Sequence, residues 1–405
     1  MKTILASAYA INPTKGSEDG TGWNFVMQIA RFNRVIAITR ENNREPIERY
    51  QRSNPDKRYA NVTFIYFDLP KWMRFWKRGS RGALLYFWMW QYSLPRFVRK
   101  KDLHYDLVHS INFHNDWIPV YLWKLGKPFV YGPIGHHPAI PTTFIKHKSL
   151  YWLRDRATLF IKKLFWNGSI SLKRGIRNAK HILCINSDVL RVHPGMKRGS
   201  VMPAVATQDY GWNPALSVST FNLLSAGRLV PLKGFDLAVE AFARFASSLP
   251  EHLQKQCSLT VVGSGPELQA LKKIVDTHQS VESVKFIPWM ERDQLMNIFR
   301  TSSAFLFPSH EGAGMVVAEA LSFGVPVICL DNAGPGELID SQSGISVTNF
   351  SREQTIRELS EAIRTLFEDT RHLAALKAGA RERFEKHFHW DVRGNQLQSI
   401  YSQLL

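Results

Sequence analysis

The sequence predicts an α/β protein of two domains, each a parallel sheet covered by helices on both faces. A chain of 405 residues exceeds what one core organises and fits two domains of ordinary size. Its 44% hydrophobic and 21% charged residues are globular proportions. Short apolar runs alternate with amphipathic stretches across short Gly/Pro connections, which is how parallel strand–helix units read.

The second half carries the alternation most regularly. Residues 223–226, 259–262, 284–287, 304–307 and 325–330 read as strands; 235–245, 267–275, 293–299 and 315–323 read as helices between them. The first half repeats the order more loosely, with strands at 3–8, 35–39, 62–66, 107–110 and 129–131, a last strand at 182–186, and a helix at 23–31. Two segments rich in cations and aromatics, 71–90 and 144–166, lie between these strands. Pro203, Gly211 and Pro214 mark an aperiodic stretch, so the domains are expected at 1–205 and 206–385. Closing helices follow at 352–367 and 371–388, and residues 386–405 are expected to cross back to the first domain. In such sheets ligands sit at the carboxyl ends of the strands.

Charge separates the halves. Residues 1–205 hold 34 Lys+Arg and 12 Asp+Glu, a balance of +22; residues 206–405 hold 18 and 22, a balance of −4. Nine of the twelve tryptophans also lie in the first half. That half is expected to meet an anionic partner larger than one small ligand. The three cysteines, Cys184, Cys257 and Cys329, form neither a disulfide framework nor a zinc spacing, which fits a reducing, cytoplasmic setting. No apolar run reaches the roughly 18 residues of a membrane-crossing helix. The opening residues read as a buried strand, since a Gly-rich stretch follows at once.

The most informative stretch runs Phe307-Pro308-Ser309-His310-Glu311-Gly312-Ala313-Gly314-Met315-Val316-Val317-Ala318-Glu319. A strand ends at Pro308, Gly312 and Gly314 let a ligand approach the backbone, and a helix begins with amides turned toward negative charge. Eight residues of helix rise about 12 Å, so Glu311 and Glu319 do not share one bond as glycosidase carboxylates do at about 5–9.5 Å. Two separate hydroxyl clusters suit them better.

This segment resembles the signature of the family 4 retaining glycosyltransferases, whose two glutamates are separated by seven residues. The resemblance implies the GT-B fold, two Rossmann-like domains facing each other across a cleft, with a nucleotide-sugar donor held there. It assigns Glu311 to the donor-sugar hydroxyls and Glu319 to the ribose, with Gly312, Ala313, Gly314 and Met315 lining the donor. Upstream, Gly227-Arg228-Leu229-Val230-Pro231-Leu232-Lys233-Gly234 is similar to the family's Arg and Lys-Gly segment. Arg228 and Lys233 are therefore expected to neutralise the departing diphosphate. Val262-Gly263-Ser264-Gly265-Pro266 fits as a phosphate-type loop through Gly263 and Gly265. Pro288-Trp289-Met290 stands where the family's backbone meets the base.

In the first half, Gly16-Ser17-Glu18-Asp19-Gly20-Thr21-Gly22 is similar to the loop that faces the donor phosphate, through Gly20 and Gly22. Family members often carry a histidine two places beyond the position of His109; here that residue is Ile111. His114 is the nearest substitute, with His109, His136 and His137 as alternatives. The sequence contains no Asp-x-Asp pair and no His/Cys/carboxylate spacing for a metal, so no metal and no separate cofactor are expected.

The basic aromatic segments suit an anionic membrane surface, which would place a lipid-linked glycan acceptor within reach. The function expected is sugar transfer from a UDP- or GDP-sugar to a glycan hydroxyl in surface polysaccharide assembly. Epimerisation of a nucleotide sugar would need acid and base carboxylates beside the sugar, and only Glu311 is so placed. Nucleic-acid binding has basic residues in its favour, but the sequence carries no helix-turn-helix, finger or RNP pattern.

Overall fold

A computed structural model of the chain describes residues 1–77, 79, 82–112, 115–145, 149–196, 199–213, 220–278 and 282–405. They form two compact units. The first comprises Met1–His136, Ala157–Ala204 and Trp390–Leu405; the second comprises His137–Arg156 and Val205–His389.

The first unit is built on a sheet of seven parallel strands in the order β3-β2-β1-β4-β5-β6-β7. These are β1 (Thr3–Ser7), β2 (Arg34–Thr39), β3 (Val62–Tyr66), β4 (Leu107–Ser110), β5 (Phe129–Ile134), β6 (His181–Cys184) and β7 (Gly199–Val201). β1 runs between β2 and β4, with Ile4 beside Val35 and Leu107. Its residues Ile4, Leu5 and Ala6 are all fully buried, as a strand covered on both faces requires. The last strand expected from sequence was β6. The extra β7 escapes sequence reading because three residues headed by a glycine carry no alternation.

The second unit has six parallel strands in the order β10-β9-β8-β11-β12-β13: β8 (Phe221–Ala226), β9 (Cys257–Val262), β10 (Val284–Ile287), β11 (Ala304–Phe307), β12 (Val327–Leu330) and β13 (Gly344–Val347). Alternate side chains feed two cores. Leu223, Leu306 and Ile328 pack with the helix Phe235–Ser247, while Leu224, Phe305, Phe307 and Cys329 pack with Val317, Ala318 and Leu321 of the helix Met315–Ser322. The chain therefore leaves β8 for one face and β11 for the other. The order reverses between these two neighbours, and the crevice outside their carboxyl ends is where a doubly wound sheet places its ligands.

One segment departs from the sequence expectation, and the helix expected to return to the first domain groups with the first unit. Residues 137–156, read as part of the first domain, group with the second unit, where the Phe144 ring packs against His310 at 4.8 Å. The closing helix of the first unit is Trp390–Leu404. Trp390 meets Phe25 edge-on at 5.9 Å, and Asn33 donates to Gln398 at 2.7 Å.

Candidate functional site

The loops leaving β8 and β11 are fastened to each other before any ligand is considered. The His310 amide donates to the Leu232 carbonyl at 2.9 Å, and the Ser309 hydroxyl reaches the same oxygen at 3.2 Å. Gly234 holds φ at +65°, and a Cβ there would lie 2.0 Å from the Pro308 carbonyl oxygen. Only glycine lets the two turns approach this closely.

Across that junction Lys233 Nζ meets Glu311 Oε2 at 2.6 Å, with both side chains largely buried. The ammonium also lies 5.0 Å from the centre of the Phe307 ring. Burial pushes the Glu311 carboxyl above the ordinary glutamate range, against the opposite pull of Lys233 and Arg228. Arg228 stands exposed on the same loop. A buried ion pair contributes little net stability, because desolvation consumes most of the Coulomb gain. Two cations and one carboxylate gathered at a switch point are thus better suited to a ligand that carries both anionic and hydroxyl groups.

Glu319 occupies a separate station. It sits in the helix Met315–Ser322, and its Oε1 pairs with Arg292 Nη2 at 2.5 Å. Burial raises its carboxyl too, with Arg292 opposing. Arg292 in turn donates to the Tyr210 hydroxyl at 2.8 Å, and the Tyr210 ring stacks on Phe323 at 5.3 Å. Glu311 and Glu319 therefore answer to different cations, as two hydroxyl stations would.

The glycines divide by what presses on them. A Cβ on Gly263, at φ +149°, would stand 1.8 Å from the Gly227 carbonyl oxygen, and one on Gly265 would stand 2.2 Å from that of Leu229. Both residues make room for the neighbouring β8 loop, so their absence of side chain is explained without a phosphate. Gly312 and Gly314 are buried, and Ala313 and Met315 half-buried. Gly314 caps the helix without a side-chain bond. Trp289 is 71% exposed, so its ring is not spent on packing.

Sequence reading missed three supports. Asn332 donates to the Ser309 carbonyl at 2.8 Å and accepts from the Gly334 amide at 2.9 Å. A Cβ on Gly334 would fall 1.8 Å from the Glu311 carbonyl oxygen. The Asn332-Ala333-Gly334-Pro335-Gly336 run after β12 was the visible signal for a tight loop. Arg292 carried none: its partner lies 27 residues on.

In the first unit, residues 16–22 are not the expected loop. The helix begins at Ser17 and runs to Ile29, so Gly20 and Gly22 lie inside it. Their Cβ atoms would meet the carbonyl oxygens of Lys15 at 2.4 Å and Ala10 at 2.1 Å. Glycine disfavours a helix by only about 1 kcal/mol, and the close return of residues 10–15 outweighs that. His114 lies outside the described residues. His109 is fully buried, with Nδ1 on the Tyr401 hydroxyl at 2.6 Å and Nε2 on the Gly132 carbonyl at 2.8 Å. Burial lowers it to about 4, and both ring nitrogens are committed, which removes it as an acid–base candidate. His136 Nδ1 bonds Asp116 Oδ2 at 2.7 Å, and His193 Nε2 reaches the same oxygen at 3.2 Å. His137 is exposed and belongs to the second unit. Among the described residues no three His, Cys, Asp or Glu are grouped as a metal site.

The chain is similar to known proteins in sequence and in fold. Residues 213–383 match the family model of glycosyl transferases group 1. The D-inositol 3-phosphate glycosyltransferase of Streptomyces bingchenggensis is 30% identical over 365 residues, covering 84% of this chain and 72% of that protein. The GDP-mannose-dependent monoacylated alpha-(1-6)-phosphatidylinositol monomannoside mannosyltransferase of Corynebacterium glutamicum is 29% identical over 182 residues, 43% of this chain and 45% of its own length. Among solved structures, Anabaena HepE in complex with UDP and glucose aligns over 100% of both chains with a TM-score of 0.59 at 16% identity. WaaG, a glycosyltransferase involved in lipopolysaccharide biosynthesis, aligns over 98% of this chain and 99% of its own, with a TM-score of 0.61 at 18% identity. These structural likenesses show the fold, an α/β architecture of the GT-B type.

Proposed function

The chain belongs to the group 1 glycosyl transferases, and from that premise we propose that it transfers a sugar from a UDP- or GDP-sugar to an acceptor hydroxyl. The observation that carries this is the Lys233–Glu311 pair, with Arg228 beside it, at the switch point of the second unit. In the proposed reaction the bond between the anomeric carbon and the diphosphate breaks. The acceptor oxygen takes the diphosphate's place on the same face of the sugar and its hydroxyl proton passes to the departing diphosphate oxygen, so configuration is retained, as in family 4. Arg228 and Lys233 receive the charge that develops on the leaving diphosphate, without a metal. As Lys233 turns to the phosphate, Glu311 is freed to accept from sugar hydroxyls.

Glu319 accepts from the ribose, and the exposed Trp289 ring offers the base a face. Gly312, Ala313, Gly314 and Met315 line the donor, with Gly263 and Gly265 supporting the adjoining loop. His114 is kept as the acceptor-side histidine. A UDP-bound structural neighbour and a GDP-mannose-dependent relative support both donor bases. The acceptor proposed is a lipid-linked glycan at the cytoplasmic face of an anionic membrane, in surface polysaccharide assembly. The test is thermal shift against UDP, GDP and their sugars. A donor-induced rise is expected for the native chain and its loss in Lys233→Ala and Glu319→Ala. Equal shifts in all three proteins would refute the site.

A further inference from the structure

The first unit carries an apolar surface that sugar transfer leaves unused. The part of the helix Leu150–Gly168 that belongs to this unit, from Ala157 on, buries none of its side chains, although Phe160, Ile161 and Leu164 form one stripe along it. All three are more than 40% exposed. On the helix Ala83–Lys100, Leu84, Leu85, Trp88 and Tyr92 also face outward. Where the two helices contribute to one surface a pocket of about 420 Å³ opens, lined by Leu84, Leu85, Trp88, Trp117, Ile118 and Phe165. That volume lies within the range of ligand pockets, about 300–1,000 Å³. Two of its polar side chains are already engaged: Trp88 Nε1 donates to the Tyr121 hydroxyl at 2.9 Å, and Ser169 Oγ accepts from the Leu172 amide at 3.2 Å. The lining offers a ligand mainly hydrocarbon and ring contact.

Charge decides between occupants. Residues 71–101 contain nine Lys+Arg and no Asp or Glu, and residues 157–168 contain two Lys and no Asp or Glu. Beside the pocket, Lys124 Nζ lies 5.0 Å from the ring centre of Tyr121, itself a lining residue. A protein partner's interface core is depleted of charge, whereas cations interleaved with exposed rings and leucines match an anionic lipid surface. We propose that this pocket takes one hydrocarbon chain of an anionic phospholipid, with the phosphate held among the surrounding cations. The proposal deepens the membrane reading of the preceding subsection and rests on it for the source of the ligand. It assigns a chain-binding site in addition to any surface adhesion.

The test uses the full chain with lysophosphatidylglycerols of 8, 10 and 12 carbons, each kept monomeric. Saturable one-to-one binding is expected, weakened about tenfold for each two carbons removed, since each methylene contributes independently. Ser171→Trp, which places a large ring at a lining position, should weaken binding at least tenfold. A chain brominated near its middle should quench Trp88 and Trp117 in the native protein, two of the twelve indoles, and this arm needs no variant to fold. Affinity independent of chain length, or complete competition by glycerol phosphate, would overturn the pocket and leave only headgroup binding. Sedimentation with phosphatidylglycerol vesicles runs in parallel. Vesicle binding without monomer binding rejects the pocket and leaves the membrane reading standing; monomer binding without vesicle binding supports the pocket and rejects that reading.

Discussion

The two units repeat one topology and use its switch point differently. In the second, the turns after β8 and β11 bring together Lys233 and Glu311 at 2.6 Å, with Arg228 close enough to bias the carboxylate. In the first, the corresponding position after β1 and β4 is filled by packing. Asn112 donates to the Ala10 carbonyl and to that of Glu18 at 3.0 Å, and Gly22 makes room for Ala10. The same fold thus holds a charged crevice in one unit and a closed backbone junction in the other. Topology locates a site; only the side chains at the strand ends say whether one is there.

The sharpest way to break the comparison is to crowd one junction of the second unit. Gly263→Ala forces a Cβ against the Gly227 carbonyl at positive φ, and a loss beyond about 4 kcal/mol is expected. Urea denaturation would measure it. In the first unit, Gly126→Ala has the same handedness problem, with φ +76°, but nothing within 4 Å. It should cost only about 1–2 kcal/mol. Comparable losses for both would refute the close-approach account of Gly263.

Next in size are two opposite responses to pH. Lys233→Ala leaves Glu311 buried without its cation and should cost about 3–4 kcal/mol at pH 8. Burial already places the folded carboxyl above its unfolded value, so the penalty is absent below the ordinary glutamate pKa and accrues as pH rises through the folded one. The variant should accordingly recover stability between pH 8 and 5. His109 works the other way. Its folded value of about 4 lies below the ordinary histidine value of 6.5, so its contribution is present above pH 6.5 and is lost as pH falls toward 4. The span is worth about 3 kcal/mol. His109→Phe should flatten that acid limb in urea titrations; an unchanged limb would mean another group sets it. The smallest effect is expected at Trp289. Because the ring is exposed, Trp289→Ala should move stability by less than about 0.5 kcal/mol while weakening nucleotide binding, measurable by calorimetry.

Most of the architecture was legible because buried parallel strands leave unbroken apolar runs such as 304–307 and 327–330. β7 and β13 were not, being short, headed by glycine and half-exposed in places. The Glu311–Glu319 stretch announced itself through glycine spacing, and Lys233 through its place before Gly234. The purpose of the glycines was harder to read. Gly20, Gly22, Gly263 and Gly265 look like ligand-facing turns in one dimension, yet in each case the intruding atom is a backbone carbonyl elsewhere in the same unit. A sequence shows that a side chain is missing and not what would have collided with it. Arg292 was invisible for a related reason, since an exposed-looking arginine at a helix start gives no hint of the carboxylate it will meet.

The helix Trp390–Leu404 completes a unit whose first strand was made nearly four hundred residues earlier in synthesis. Until it emerges from the ribosome, the Tyr401 hydroxyl cannot reach the His109 ring, and Phe25 lacks its indole neighbour. The second unit, wholly translated by His389, has all its parts sooner. The part begun first is therefore finished last, and a chaperone guarding the nascent chain would be needed longest at its amino-terminal end.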